Sequence, residues 1–150
     1  MRAVIQRVSK ANIETESGHK DSIGLGLVVL LGVEEADKQE DVDWLCGKIA
    51  RMRIFNDDQG IMNVSLKEIN GEIMVVSQFT LHASTKKGNR PSYIRSASPE
   101  TALPLYDSFI EKMKKETGKD PARGVFGDHM NIQLANDGPV TIIMDSRNKE

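Results

Sequence analysis

The sequence predicts an α/β fold in which a mixed sheet is covered by two helices. Three observations carry this. Two continuous apolar runs, Leu27-Val28-Val29-Leu30-Leu31 and Ile73-Met74-Val75-Val76, have the character of strands buried on both faces. Two other segments repeat apolar residues at helical spacing, and strand-like runs occupy both ends of the chain.

In chain order, Val4, Ile5, Val8 and Ile13 predict amino-terminal strands, and Glu16-Ser17-Gly18-His19 has turn composition. The run from Leu27 then lies centrally in the sheet. Asp37 and Glu40 have the spacing of a capping box, and Val42, Leu45, Ile49 and Met52 follow on one helical face, predicting a helix over 37–52. Asn56-Asp57-Asp58-Gln59-Gly60 is a turn. The next buried strand, within 71–79, delivers Ser77 to Leu81 at its end. Ser98 and Pro99 have the cap and first-position chemistry of a second helix, whose apolar face is Tyr106, Phe109, Ile110 and Met113, and which Gly118 and Pro121 end. Pro104 lacks the N–H that would bond Glu100, so the first turn is expected to bend or to lie outside the helix. Met130, Ile132 and Leu134 alternate with polar residues as a half-buried strand, and residues 140–144 read as its returning partner.

The turn between those last runs, Asn136-Asp137-Gly138-Pro139-Val140-Thr141, is unusual. Asp-Gly alone suits a two-residue hairpin. Pro139 removes an N–H where pairing would resume, and permits a cis bond that would turn two carbonyl oxygens in one direction. An ordinary trans turn fits the same residues.

A chain of 150 residues is about one domain, here 1–150, and no repeat, linker or low-complexity segment divides it. The single cysteine, Cys46, falls in a helical pattern beside Trp44 and Leu45, as a packed thiol would. The first residues lack the apolar core of a signal peptide and the longest apolar run is too short to span a bilayer, so a reducing cytoplasm is the expected location. With a net charge of −2 and an isoelectric point near 6.0, the whole-molecule field does not attract nucleic acid or an anionic membrane. Any polyanion must be met locally. Residues 73–99 contain no Asp or Glu, where composition alone would place about four, and they carry Lys86, Lys87, Arg90 and Arg95. With Gly88 and Asn89 between the charges, this reads either as a phosphate-holding loop or as a solvated one.

Familiar catalytic signatures are absent, which narrows the chemistry. The three histidines, His19, His82 and His129, have no metal-pair spacing, so no metal is expected. Gly24-Leu25-Gly26-Leu27-Val28-Val29 lacks the third glycine of a dinucleotide fingerprint and there is no Gly-Lys-Ser/Thr phosphate loop, so no nucleotide cofactor is expected. Seven aromatic residues in total argue against a broad base-stacking platform.

What remains is Ser77-Gln78-Phe79-Thr80-Leu81, Lys86-Lys87-Gly88-Asn89-Arg90-Pro91-Ser92, Gly124-Val125-Phe126-Gly127 and the segment from Asn136 to Thr141. With the opening Met1-Arg2-Ala3-Val4-Ile5-Gln6-Arg7-Val8, these resemble the D-aminoacyl-tRNA deacylase family along the whole chain. The Ser-Gln-Phe-Thr and Asn-x-Gly-Pro-Val-Thr motifs in this order, at this length, are together highly specific.

The resemblance implies a three-layer α/β/β fold with barrel-like sheets, and a homodimer without cofactors that hydrolyses the ester of D-aminoacyl-tRNA, or of glycyl-tRNA mischarged on tRNA(Ala). It implies tRNA as the partner, and neither DNA nor membrane. It further implies that Gly138 and Pro139 of one subunit, joined by a cis bond, enter the other's pocket and grip the substrate ammonium through their carbonyl oxygens. Ammonium and ester then fix two substituents of Cα, and the side chain points to open space for D and into protein for L. Overlap of that kind costs far more than the ~1–3 kcal/mol available from one methylene of pocket fit. Glycine has no side chain to reject. By the same resemblance Arg7 and Asn136 support the motif, Phe126 and Met130 line the terminal adenosine, and Lys86, Lys87 and Arg90 meet acceptor-stem phosphates. Without the resemblance, Arg7 reads as a strand-edge surface charge and Phe126 and Met130 as core.

For the chemical step the family assigns Ser77, Gln78, Phe79 and Thr80. The resemblance favours an adenosine 2′-hydroxyl that assists water, with backbone N–H groups near Phe79 and Thr80 stabilising the oxyanion. A Thr80 nucleophile needs a base, and His82, two residues on, is the one nearby in sequence. Two other classes fit the composition: a non-catalytic tRNA-binding module, and a general esterase built on Thr80.

Overall fold

The computed structural model describes residues 1–149. Strands β1 (Arg2–Thr15), β2 (Lys20–Ile23) and β3 (Gly26–Gly32) lead into helix α1 (Gln39–Arg51). A small hairpin, β4 (Arg53–Asn56) with β5 (Met62–Ser65), precedes β6 (Glu72–Ser77), which ends in a 3₁₀ turn at Phe79–His82. Helix α2 (Pro99–Thr117), β7 (Ala122–Arg123) and β8 (Met130–Asp145) complete the chain.

The main sheet runs β2-β1-β3-β6-β7, with β8 on the opposite edge of β1, and it curls into a barrel-like layer. β3 pairs antiparallel with β1 and parallel with β6. Parallel pairing requires a long crossover, which α1 and the β4–β5 hairpin supply. Both predicted buried runs, β3 and β6, lie here at the sheet's centre.

Burial on both faces accounts for their unbroken apolar character. On one face Ala3, Ile5, Leu27, Val29, Leu31, Ile73 and Val75 pack under the two helices with Leu45, Ile49, Phe109 and Met113. On the other, Val8, Ala11, Ile13, Val28, Met74 and Val76 form a second core that Met130 and Ile132 of β8 cover. The α/β/β layering and the two helices agree with expectation. Gly26 allows β3 and β6 to meet, because a Cβ there would fall on the Glu72 carbonyl.

Cys46 is fully buried, burial pushes its thiol well above the ordinary range, and its Sγ lies 3.6 Å from the Phe109 carbonyl oxygen. The expected outcome with a thiol-reactive reagent is no labelling of native protein and one equivalent after denaturation; rapid native labelling would contradict the packing.

Three local expectations are corrected. Helix α1 starts at Gln39, not Asp37, and its cap is the Asp41 carboxylate accepting from the Lys38 N–H at 2.8 Å. Asp37 is instead buried against the Met1 ammonium at 2.6 Å, a partner adjacent in space and remote in sequence. Pro104 lies within α2, which runs unbroken from Pro99; the proline costs one hydrogen bond near the amino-terminal end, and tertiary packing of Ala102 and Tyr106 outweighs it. Finally, residues 130–145 form no hairpin. β8 is one strand, and both halves pair with β1: Thr15 to Lys10 with Met130 to Ala135, and Gln6 to Arg2 with Thr141 to Asp145.

Candidate active site

The Gly-Pro segment is a bulge in that long strand. Val8 faces Asn136 and Gln6 faces Thr141, so Asp137, Gly138, Pro139 and Val140 all stand opposite Arg7 alone. The Gly138-Pro139 bond is cis, Gly138 has φ +129°, and both residues are exposed. Arg7 is not a surface charge. It is 6% exposed, its Nε donates to the Asp137 carbonyl at 3.0 Å, and its Nη1 donates to the Ile54 carbonyl at 2.6 Å. The Asp137 carboxylate lies 3.1 Å from the same Nε. One guanidinium thereby ties β1, the bulge and the β4–β5 hairpin together. Asn136 is exposed beside it.

A separate cavity of 340 Å³ opens where β6 ends. Ser77, Gln78 and Phe79 line it with Leu31, Val33 and Phe126. Helix α2 closes one wall through Ala102 and Tyr106, whose buried hydroxyl donates to the Val75 carbonyl at 2.8 Å and whose ionisation burial pushes up to about 12. Tyr106 also packs on Phe126, with ring centroids 5.9 Å apart. The site is thus mostly apolar with a few polar groups at one end, as small-ligand clefts usually are.

At that end the Gln78 N–H donates to the Leu31 carbonyl at 2.7 Å, anchoring the turn to β3, and Gln78 Nε2 donates to Thr80 Oγ1 at 2.6 Å. The N–H groups of Phe79 and Thr80 begin the 3₁₀ turn and have no backbone partner among the described residues. His82 makes no dyad with Thr80. It is 1% exposed, its Nδ1 is 3.1 Å from Glu34 Oε1 but off hydrogen-bonding angles, and neither ring nitrogen has a hydrogen bond among the described residues.

The basic segment divides in two. Arg95 Nη2 donates to Glu34 Oε1 at 2.6 Å, so Arg95 is a strut whose charge is already matched. Burial acts to raise the Glu34 carboxyl, but the Arg95 hydrogen bond and the neighbouring positive charges hold it below its ordinary range. Lys86, Lys87 and Arg90 are exposed and free of ion pairs among the described residues. They occupy the tip of a loop closed by reciprocal Ser84–Ser92 backbone bonds of 2.8 and 2.9 Å.

The structure therefore gathers Ser77, Gln78, Phe79 and Phe126 at one cavity, while Thr80 does not line it and is tied to it only through its hydrogen bond from Gln78. Met130 lies beneath the loop after β7, where a Cβ on Gly124 would strike its Sδ, and it does not line the cavity. Gly138 and Pro139 are likewise absent from their own chain's cavity. Tyr106 and Leu31 belong to the lining although their sequence signal is only that of core positions, and Val33, which carries no such signal, joins them.

This chain belongs to the D-Tyr-tRNA(Tyr) deacylase family, a class of ester hydrolases, whose model matches residues 4–145. Among similar proteins are D-aminoacyl-tRNA deacylases of Flavobacterium johnsoniae, 56% identical, and Bacteroides thetaiotaomicron, 57% identical, each over 150 residues and the whole of both chains. A solved structure described as a c-Myc DNA unwinding element binding protein superposes with a TM-score of 0.90 at 36% identity, over 97% of this chain and 98% of that one. A probable eukaryotic D-amino acid tRNA deacylase shares the fold, with a TM-score of 0.83 at 17% identity over 95% and 97%.

Proposed function

We propose that this chain hydrolyses the ester of D-aminoacyl-tRNA, and of glycyl-tRNA mischarged on tRNA(Ala), as a homodimer in the cytoplasm. The observation that carries the reading is a cavity lined by Ser77, Gln78 and Phe79, beside a turn whose Phe79 and Thr80 N–H groups have no backbone partner among the described residues and whose Thr80 hydroxyl accepts from Gln78. Oriented donors can stabilise a developing oxyanion, each worth about 2.7–4 kcal/mol where one has been removed from other enzymes. The 2′-hydroxyl of the terminal adenosine then assists the attacking water. Ser77 and Gln78 orient the ester, and Phe126 supports the adenosine.

Chirality is judged by carbonyl oxygens of Gly138 and Pro139 from one subunit, placed in the cavity of the other. Two features support this exchange: the pair is exposed and does not line its own chain's cavity, and among the described residues β8 pairs with β1 alone, leaving a long outer edge with Ile143 73% exposed. Arg7 and Asn136 hold the motif in shape. Lys86, Lys87 and Arg90 place the acceptor stem.

The deciding experiment charges one tRNA with D-tyrosine, L-tyrosine or glycine. Rapid loss of the D and glycyl esters beside a stable L ester is expected; equal turnover of both enantiomers would refute the selection mechanism, and three stable esters would leave a binding module. The fate of Thr80 separates the routes within the site. Gln78 gives Thr80 Oγ1 a proton donor and no base, so Thr80→Ala is expected to keep kcat within about tenfold of wild type. Complete loss of turnover with tRNA binding intact would restore the nucleophile.

A further inference from the structure

Seven aromatic residues are too few for a sheet-wide base-stacking surface, yet two of them, one of which lines the cavity, meet ring to ring. Phe79 and Tyr93 pack edge to face, with centroids 5.1 Å apart and planes at 72°. Such a pair uses one ring face only, and exposures of 56% for Phe79 and 41% for Tyr93 leave apolar ring surface open to solvent. Phe79 lines the cavity; Tyr93 does not, but packs directly against the Phe79 ring and is itself exposed to solvent. Ser96 fixes both: its Oγ donates to the Phe79 carbonyl at 2.8 Å and its N–H donates to the Tyr93 carbonyl at 2.9 Å. The Arg95–Glu34 pair clamps the same turn to the loop after β3. An exposed aromatic pair held this firmly by its own backbone has a preformed shape.

Its surroundings specify the ligand. Tyr93 directly follows Ser92, at the closed base of the loop that carries the free cations Lys86, Lys87 and Arg90 at its tip. Cations at the tip and rings at the base match a single nucleic-acid strand, which offers phosphates along its backbone and an unpaired π-face at each base. We propose that Tyr93 is a stacking platform for the unpaired base preceding the terminal adenosine of the substrate's 3′ end. The assignment rests on the proposed deacylase function, and places the second nucleotide outside the cavity that takes the first. Every base has a π-face, so the contact tolerates any base and contributes positioning without sequence readout.

The test uses uncharged tRNA with 2-aminopurine at the penultimate position, alongside two substrates, D-tyrosyl-tRNA and the D-tyrosyl ester of adenosine alone. Wild type and Tyr93→Phe are expected to quench the fluorophore on binding, and Tyr93→Ala to leave it bright. Tyr93→Ala is expected to raise KM for the tRNA ester about tenfold more than for the adenosine ester, as loss of one base–aromatic stack would. Equal losses on the two esters, meaning that Tyr93 acts through Phe79, or an unquenched fluorophore in wild type, would overturn the platform. Failure of wild type to cleave either ester would instead sink the deacylase reading, while the fluorescence of uncharged tRNA still decides the platform.

Discussion

Gly138→Ala is expected to lower kcat/KM on D-aminoacyl-tRNA by more than about a hundredfold while leaving a folded protein. At φ +129° an L side chain is strained whatever the space, and here the space is also missing. A Cβ would come within 2.8 Å of the Val140 backbone N and 2.9 Å of its Cγ2, with Arg7 Nη2 at 3.3 Å. The backbone of the bulge must therefore shift. Carbonyl oxygens that hold an ammonium act through position, and a displacement near 1 Å far from the reacting atoms can cost about a hundredfold. Stability should suffer less, because the motif is exposed: about 1–2 kcal/mol, the usual cost of a side chain in left-handed backbone. The measurements are single-turnover hydrolysis of D-tyrosyl-tRNA and a thermal melt. Wild-type turnover from a variant of unchanged melting temperature would remove the motif from the mechanism.

Arg7→Ala should be the more damaging to stability, by about 3 kcal/mol, or about 6–12 °C in Tm for a chain of this size. The substitution leaves the Ile54 and Asp137 carbonyls without their donor and the Asp137 carboxylate without its counter-charge. Asp137 is partly exposed, which lets water recover some of the loss at that end. Ile54 lies in the core and has no such relief. Arg7→Lys is expected to recover less than half, because one ammonium cannot span two carbonyls in different directions as a planar guanidinium does. Activity should fall with both variants, since the bulge loses its brace. A shift in Tm of less than about 1 °C for Arg7→Ala would show that the guanidinium contributes nothing net.

Much of this was legible in the residues themselves. The unbroken apolar runs of β3 and β6 announce burial on both faces, the spacing of Tyr106, Phe109, Ile110 and Met113 defines the inner side of α2, and Ser77-Gln78-Phe79 stands out where a cavity opens. Those features are local: period and side-chain character decide them. Arg95 and His82 show the opposite case. As sequence, Arg95 is one more cation in an acid-free stretch and His82 a neighbour of Thr80; in space Arg95 is paired with Glu34, and His82 is buried with neither ring nitrogen hydrogen-bonded among the described residues.

The sequence by itself determined which faces are apolar, which segments are helical, and that two family motifs share one chain. Only the tertiary structure decided that residues 130–145 are one strand bulged against Arg7, that Asp37 faces the Met1 ammonium, and that Gly138 and Pro139 do not line their own chain's cavity. Alternation tells which side of a strand is buried but not which neighbour it pairs with. That choice depends on contacts between residues distant in the chain, and local spacing does not encode them.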